Sequence, residues 1–390
     1  MSRVEGELSA TLEVLDRLVA FPSVSAAPNL DLVDYVRDYL ARLDIQSNLS
    51  LDDSGTRANL HAVVGPKVDG GVALNGHTDV VPAEDDGWTD HPFTLVQRDG
   101  RLYGRGAVDM KGFLACCIGS AAALAAKPLK RPVHITMCYD EEIGGFGAPV
   151  LVADMARTGP RPALAIVGEP TEMSIICGHK GGLELRTEIS GLAGHASDPR
   201  RGVNAIYFAA RFIGRLEEMA RELAASPVRG SPFDPPWSTI SVGTIEGGVA
   251  RNVIPGSCAF DWEIRPVPGD DGAAILAQAE RYAYEELLPE MRAICPDADI
   301  RIETHALVPA LDHEQAADAV EFVRGLTGLN DVSVVSFGTD AGHFCRAGIS
   351  TVVFGPGSIE QAHKPDEFIT VDQIAACLAF LDQLGDRLAQ

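Results

Sequence analysis

Val72-Ala73-Leu74-Asn75-Gly76-His77-Thr78-Asp79 is the stretch whose reading decides the fold. Three apolar residues, too few for a helix, run into a short polar turn and then into a histidine and an acid. The same order returns three times. Residues 133–139 alternate with period two and lead into Asp140-Glu141-Glu142. Residues 163–167 lead into Gly168-Glu169-Pro170, and residues 351–354 into Gly355-Pro356-Gly357 and on to His363. Helical stretches lie between, among them residues 112–126, rich in small side chains and preceded by a Gly-rich turn holding Asp109. Short buried strands alternating with helices predict an α/β layer structure. Ligands of such open sheets bind beyond the carboxyl ends of the strands, so these five segments are expected on one rim.

Working outward, the chain begins with two helices. Leu8, Leu12, Leu15, Leu18 and Val19 form one stripe that Pro22 ends, and Asn29 reads as the N-cap of a second helix carrying Leu32, Val33, Val36, Tyr39, Leu40 and Leu43. The middle changes pattern. Strands at 183–189, 239–245 and 257–264, helices at 202–224 and 271–287, and a closing strand at 300–304 give the ferredoxin-like order. With 390 residues, more than one core usually spans, we expect two domains: residues 1–179 with 300–390, interrupted by 180–299.

Composition excludes several classes of function. Apolar residues make up 46% and charged ones 22%, which is ordinary globular usage. Asp and Glu number 55 against 32 Lys and Arg, a formal charge of −23, the opposite of a nucleic-acid footprint. The first 22 residues lack the apolar core of a secretory signal, and no run of 18 apolar residues predicts a membrane span. The eight cysteines mostly sit in apolar runs with no Cys-x-x-Cys pair, as expected for reduced thiols of a cytoplasmic protein.

A single acid after a strand is usually a cap, and a single histidine is usually structural. Here His77, Asp109, the Glu141-Glu142 pair, Glu169 and His363 share one topological position and sum to a metal-ligand set. Two ions about 3.5–4 Å apart need a bridging carboxylate, and two His with three carboxylates balance two Zn²⁺ and one hydroxide. Two decoys fail. Gly104-Arg105-Gly106 with Lys111-Gly112 lacks the Gly-Lys-Ser/Thr of a phosphate loop, and Val150 stands where a dinucleotide fingerprint starting at Gly145 needs glycine. No His-Glu-x-x-His or Gly-x-Ser-x-Gly occurs.

Six motifs now stand in order: Gly76-His77-Thr78-Asp79, the segment Gly104 to Gly112, Asp140-Glu141-Glu142, Gly168-Glu169-Pro170-Thr171, Gly194-His195-Ala196-Ser197, and His363-Lys364-Pro365-Asp366-Glu367. Together they resemble the di-zinc aminoacylase and carboxypeptidase family of metallohydrolases over nearly the whole chain. Lys180-Gly181-Gly182, the segment from Ser197 to Ala205, and Gly355-Pro356-Gly357-Ser358 look most like its acetylornithine deacetylases.

The resemblance implies a zinc-peptidase-like catalytic domain, a mostly parallel sheet flanked by helices, carrying an inserted lid and dimerisation domain. It implies two Zn²⁺, with Co²⁺ able to substitute. One ion would be held by His77, Asp109 and Glu169 and the other by Asp109, Glu142 and His363, Asp109 bridging. Spacing leaves open which of the adjacent glutamates is ligand and which is base; the resemblance makes Glu141 the general base acting on a metal-bound hydroxide. It makes Asp79 the carboxylate behind His77, and His195 the donor to the oxyanion, usually from a partner subunit in a homodimer. Asn252 and Arg265 would take the substrate α-carboxylate. Thr339 and Asp340 would line the pocket, Asp340 facing a cationic side chain. The remaining histidines (His61, His91, His134, His179, His305, His313 and His343) read as structural.

The expected activity is amide hydrolysis, removing acetate from N2-acetyl-L-ornithine in arginine biosynthesis. Alternatives are another N-acyl amino acid such as N-succinyl-diaminopimelate, a dipeptide, or a site-dead binding protein with the same fold.

Overall fold

A computed structural model describes residues 3–83 and 87–390. The chain forms two compact units. One comprises residues up to His179, Leu311–Val335 and Thr339–Gln390; the other comprises Lys180–Ala310 with Ser336–Gly338.

The first unit is built on an eight-stranded sheet. Its spatial order is Ser47–Leu51, Ala58–Val64, Val133–Cys138, Val72–His77, Leu164–Val167, Ser350–Val353, Ile175–His179 and Val332–Val335. The four strands Val133–Cys138, Val72–His77, Leu164–Val167 and Ser350–Val353 are mutually parallel, and antiparallel pairings appear only beyond them. Because side chains alternate across a strand, each central strand feeds two cores. Val72, Leu74, Val133, Ile135, Ile166 and Val352 join the cluster of Arg3–Val19, Lys111–Gly119 and Val371–Leu388. Ala73, Cys138, Ala165, Val167 and Val353 join the opposite cluster, under Gly147–Thr158 and Ala341–Arg346. This two-sided burial is why the strands read as continuous apolar runs.

The second unit is a four-stranded antiparallel sheet in the order Thr239–Gly247, Ser257–Arg265, Gly182–Ser190, Asp299–Val308. Leu183, Leu185, Ile189, Cys258, Phe260, Trp262 and Ile264 face one way and pack with Ala205–Ala224 and Gly272–Arg281. Strand, helix, strand, strand, helix, strand in this order is ferredoxin-like.

Several expectations need correction. The second unit runs past residue 299 to Ala310, because Asp299–Val308 pairs with Gly182–Ser190 along its whole length. Residues 112–126 form two helices, Lys111–Gly119 and Ala121–Ala125; a Cβ on Gly119 would stand 2.3 Å from Thr11 Oγ1, so the first of them lies tight against the N-terminal helix. Asn29 precedes Leu30–Ala41 but makes no side-chain cap. Its amide instead exchanges hydrogen bonds with the backbone of Ala58, at 2.8 and 3.0 Å, and donates to Thr78 Oγ1 at 3.0 Å. The strands Ser47–Leu51, Ala58–Val64, Ile175–His179 and Val332–Val335 were not among those expected.

The long excursion Lys180–Ala310 leaves and re-enters the first unit at one β-bridge. His179 N–H donates to the Leu311 carbonyl at 3.2 Å and Leu311 N–H to that of His179 at 3.0 Å.

Candidate metal centre

The four parallel strands end side by side, and each delivers a polar side chain beyond its carboxyl end. His77 closes Val72–His77; Glu141 and Glu142 follow Val133–Cys138; Glu169 follows Leu164–Val167; the loop after Ser350–Val353 reaches His363. Asp109 stands in the turn before Lys111–Gly119. Glu169 depends on close backbone packing beneath it. A Cβ on Gly168 would fall 2.1 Å from the Phe113 ring, so only glycine lets the chain pass there.

Asp109 lies between the two histidines. Its Oδ1 is 3.1 Å from His77 Nε2 and its Oδ2 3.2 Å from His363 Nε2. His363 Nε2 is also 3.0 Å from Glu142 Oε2. Ligand atoms of His77, Asp109 and Glu142 fall within 4.8 Å of one another, as do those of His77, Glu141 and Glu169. Glu141 thus stands in the same group as two of the expected ligands.

The electrostatics describe an anionic cluster short of cations. Burial pushes Glu141 and Glu169 well above the usual carboxylate range, and their acidic neighbours push further: Glu169 on Glu141, Asp109 on Glu169. Burial acts on Asp109 as well, but hydrogen bonds from His363 and His77 outweigh it and hold its carboxyl low. His77 is raised well above an ordinary imidazole because its bond to Asp109 and the charges of Asp79, Glu169 and Glu141 overcome burial. His363 is pushed up to about 10, first by its bonds to Asp109 and Glu142. Oε1 of Glu169 is buried without a hydrogen-bond partner. Two imidazoles and four carboxylates, one oxygen of them orphaned, suit a pair of divalent cations.

Around this cluster the structure refines the expectations. His77 Nδ1 donates to the backbone carbonyl of Asp79 at 2.9 Å, while the Asp79 carboxylate stands off at 3.6 Å. The carbonyl therefore fixes the tautomer that leaves Nε2 facing the cluster. The Asp79 carboxylate does other work. It accepts the backbone N–H groups of Glu141 and Glu142 at 3.1 and 3.2 Å and the Ser25 hydroxyl at 2.7 Å, so it holds the turn carrying both glutamates.

Sequence reasoning missed Glu367. Its Oε1 accepts the N–H groups of Val108 and Asp109 at 2.9 and 3.2 Å, and its Oε2 takes the Arg105 guanidinium at 2.9 Å. The loop of His363 is thereby tied to that of Asp109. The signal was present, since Glu367 ends the His363 motif.

Thr339 and Asp340 are both buried; Thr339 Oγ1 accepts the Ala341 N–H at 3.1 Å, and Asp340 Oδ2 the Asn75 amide at 3.2 Å. His195, Asn252 and Arg265 belong to the second unit. Gly194–His195 pairs with Val253–Ile254, and the Asn252 carbonyl accepts the Ala196 N–H at 3.0 Å. His195 Nδ1 accepts the Ser197 N–H at 3.2 Å, which leaves the ring proton of the neutral form on Nε2. Arg265 is held by Glu263, Nε at 2.9 Å and a second nitrogen at 2.8 Å.

An α/β sheet with histidines and carboxylates gathered at its parallel strand ends defines a metal-dependent hydrolase. The chain belongs to peptidase family M20/M25/M40, whose family profile matches residues 73–387. It is 38% identical over 379 residues to an acetylornithine deacetylase of Myxococcus xanthus, covering 96% of each chain. It is 35% identical to that of Photorhabdus laumondii, covering 97% of each. Among solved structures it resembles an M20 family metallo-carboxypeptidase from Sulfolobus solfataricus, with TM-score 0.76 and 18% identity over 97% of this chain and 99% of that one. It also resembles a dinuclear metal binding M20 peptidase from Bacillus subtilis, with TM-score 0.66 and 17% identity over 98% of each. The chain is a metallohydrolase of this family.

Proposed function

We propose that the chain hydrolyses N2-acetyl-L-ornithine to L-ornithine and acetate, serving arginine biosynthesis in the cytoplasm. The observation that carries the chemistry is Asp109 presenting one oxygen to each of His77 and His363. The substrate rests on the relatives at 34–38% identity.

His77, Asp109 and Glu169 would hold one Zn²⁺, and Asp109, Glu142 and His363 the other, with Co²⁺ able to replace either. Bound there, the ions would polarise the amide carbonyl and acidify water to near neutral pH. Glu141 takes the proton of the attacking water and returns it to the leaving amine. Asp79 keeps that glutamate in place through the backbone. His195 supplies its Nε2–H to the oxyanion, from its own chain or a partner's. Arg265 and Asn252 take the α-carboxylate, Arg265 exchanging Glu263 for it. Thr339 lines the pocket, and Asp340 receives the cationic side chain.

We also assign the second unit the lid and dimer contacts. A groove of about 740 Å³ there is lined by Tyr207, Val249, Ile254 and Ile294. Tyr207 and Val249 are 69% and 88% exposed, much apolar surface to leave in water. Among the described residues no helix is long and apolar enough to cross a membrane.

The test is kcat/KM for N2-acetyl-ornithine against N-acetyl, N-succinyl and dipeptide substrates, with and without chelator and added Zn²⁺ or Co²⁺. Preference for acetyl-ornithine, lost on chelation and restored by metal, supports the reading. Metal-dependent preference for another amide keeps the site and discards the substrate.

A further inference from the structure

Residues 21–27 link the helices Arg3–Val19 and Leu30–Ala41, and they are tied to three of the turns that carry candidate ligands. Lys111, two residues past Asp109, donates its buried Nζ to the Phe21 carbonyl at 2.9 Å. Beside His77, the Ser23 hydroxyl donates to the Thr78 carbonyl at 2.6 Å. Val24 forms a parallel bridge with Val80, whose N–H reaches the Ser23 carbonyl at 3.0 Å, while the Ser25 N–H reaches the Val80 carbonyl at 3.1 Å. Two further ties reach the turn of Glu141 and Glu142. The Ser25 hydroxyl donates at 2.7 Å to the Asp79 carboxylate, which itself accepts the N–H groups of both glutamates. The Ala26 N–H donates to Asp140 Oδ1 at 2.8 Å, and Asp140 Oδ2 takes the Arg57 guanidinium.

The last of these ties joins two residues in a backbone conformation that side chains rarely allow. φ is +66° at Ala26 and +54° at Asp140. Such residues persist where their surroundings impose them, and Ala26 is exposed, so packing around its methyl group does not. At Asp140 the left-handed step carries the chain out of Val133–Cys138 into the turn of Glu141. That turn closes on itself, with the Phe146 N–H on the Asp140 carbonyl at 3.2 Å and those of Gly144 and Gly145 on the Glu141 carbonyl at 3.0 Å. Its tilt is therefore set by what grips Asp140 and the two glutamate N–H groups. A grip is needed, because Glu141 shares a group with Glu169, and Glu142 one with Asp109, their ligand atoms within 4.8 Å. Carboxylates at that range repel until cations arrive.

We propose that residues 21–27 are a strap that preorganises the metal centre, with Ser25 and Ala26 as positioning residues acting on Glu141 and Glu142 through Asp79 and Asp140. This rests on the metal-centre reading above and is independent of the choice of substrate. The strap supplies no ligand. It holds the turns of His77, Asp109 and the two glutamates to one length of backbone, so that the ligands stand near their bound positions before the ions enter. Loss of support behind a ligand commonly costs about 10–100-fold in metal affinity, and the strap supports two glutamates at once. In sequence these residues read only as the link between two helices, because each of their partners arrives from 50 or more residues away.

Two changes cut the strap at its ties. Ala26→Pro removes the N–H and forbids a positive φ at an exposed position, and Ser25→Ala removes the hydroxyl. Each should weaken Zn²⁺ binding at least tenfold in competition with a chromophoric chelator. Each should also lower kcat at least tenfold, with KM within threefold, on the amide that the native enzyme turns over best. Ala26→Gly keeps the N–H and adopts the same φ freely, and Ser25→Thr keeps the hydroxyl, so both should stay within threefold of native. Native Zn²⁺ affinity in Ala26→Pro and Ser25→Ala overturns the strap, whatever happens to activity. A loss as large in the conservative pair reduces the effect to packing and overturns it too. If Ser25→Ala does not fold, Ala26→Pro decides. Should the native protein bind no Zn²⁺, the metal-centre reading fails separately, and hydrogen exchange of the metal-free protein decides. Amides of Glu141 and Glu142 exchanging at least tenfold faster in Ala26→Pro, with Phe260 unchanged, support the strap, and native rates overturn it.

Discussion

Glu141 and Glu142 are adjacent in sequence yet face different partners. Glu142 bonds to His363, while Glu141 groups with His77 and Glu169. A Glu141→Gln change keeps the shape and removes the proposed base, so kcat should fall about 10²–10⁴-fold. Bound metal, measured by atomic emission, should stay the same; activity within tenfold of native would end the assignment. His61 gives a second residue-scale expectation, away from the centre. It stacks on His134 and lies 3.0 Å from its Nδ1, and burial lowers it to about 4. The unfolded chain binds a proton below pH ~6.5 that the folded chain refuses until about 4, so this residue's contribution is present above ~6.5 and lost as pH falls toward 4. The full effect is on the order of 3 kcal/mol. Urea midpoints at pH 4.5 and 7.5 should differ less in His61→Leu than in the native protein; equal differences would remove His61 from the account.

At the scale of elements, the strands that hold the site were legible and the rim around it was not. Buried parallel strands announce themselves as apolar runs ending in polar turns, which is why Val72–His77 and Val133–Cys138 could be found with their candidate ligands attached. Ser47–Leu51 and Val332–Val335 lie at the sheet's two edges, half exposed; the first mixes polar and apolar residues, and the second is only four residues long, interrupted by Ser333. Nor could spacing show that Asp79 turns its carbonyl to His77, two residues away, and its carboxylate to the turn of Glu141 and Glu142, because that turn arrives from elsewhere in the chain. Glu367 is the same case, a tie between two loops. Replacing it with alanine should weaken metal binding about 10–100-fold, as loss of support behind a ligand commonly does. Competition with a chromophoric chelator measures this directly, and unchanged affinity would reduce the tie to packing.

For the whole molecule, five segments far apart in sequence must meet before two ions can bind, so metal and fold are coupled in the first unit. Chelation should lower the thermal midpoint, with about 2.7 kcal/mol at stake for metal at 100 times its Kd. Hydrogen exchange should then show the amides of Val108, Asp109, Glu141 and Glu142 losing protection while those of Phe260 and Trp262 in the other unit keep theirs. A midpoint indifferent to chelator would mean that the carboxylates tolerate each other without cations.

The bridge between His179 and Leu311 has a consequence for how such a chain could be cut and rejoined. Residues that exchange both backbone hydrogen bonds stand about 5.5 Å apart at Cα. The first unit therefore meets Lys180–Ala310 as a detour that starts and finishes at one doorway. A turn of a few residues would close that doorway, and another module with neighbouring ends could be spliced through it. The larger unit is thus a socket: its sheet and candidate metal ligands are complete without the detour, while the roles proposed for His195, Asn252 and Arg265 travel with whatever is plugged in there.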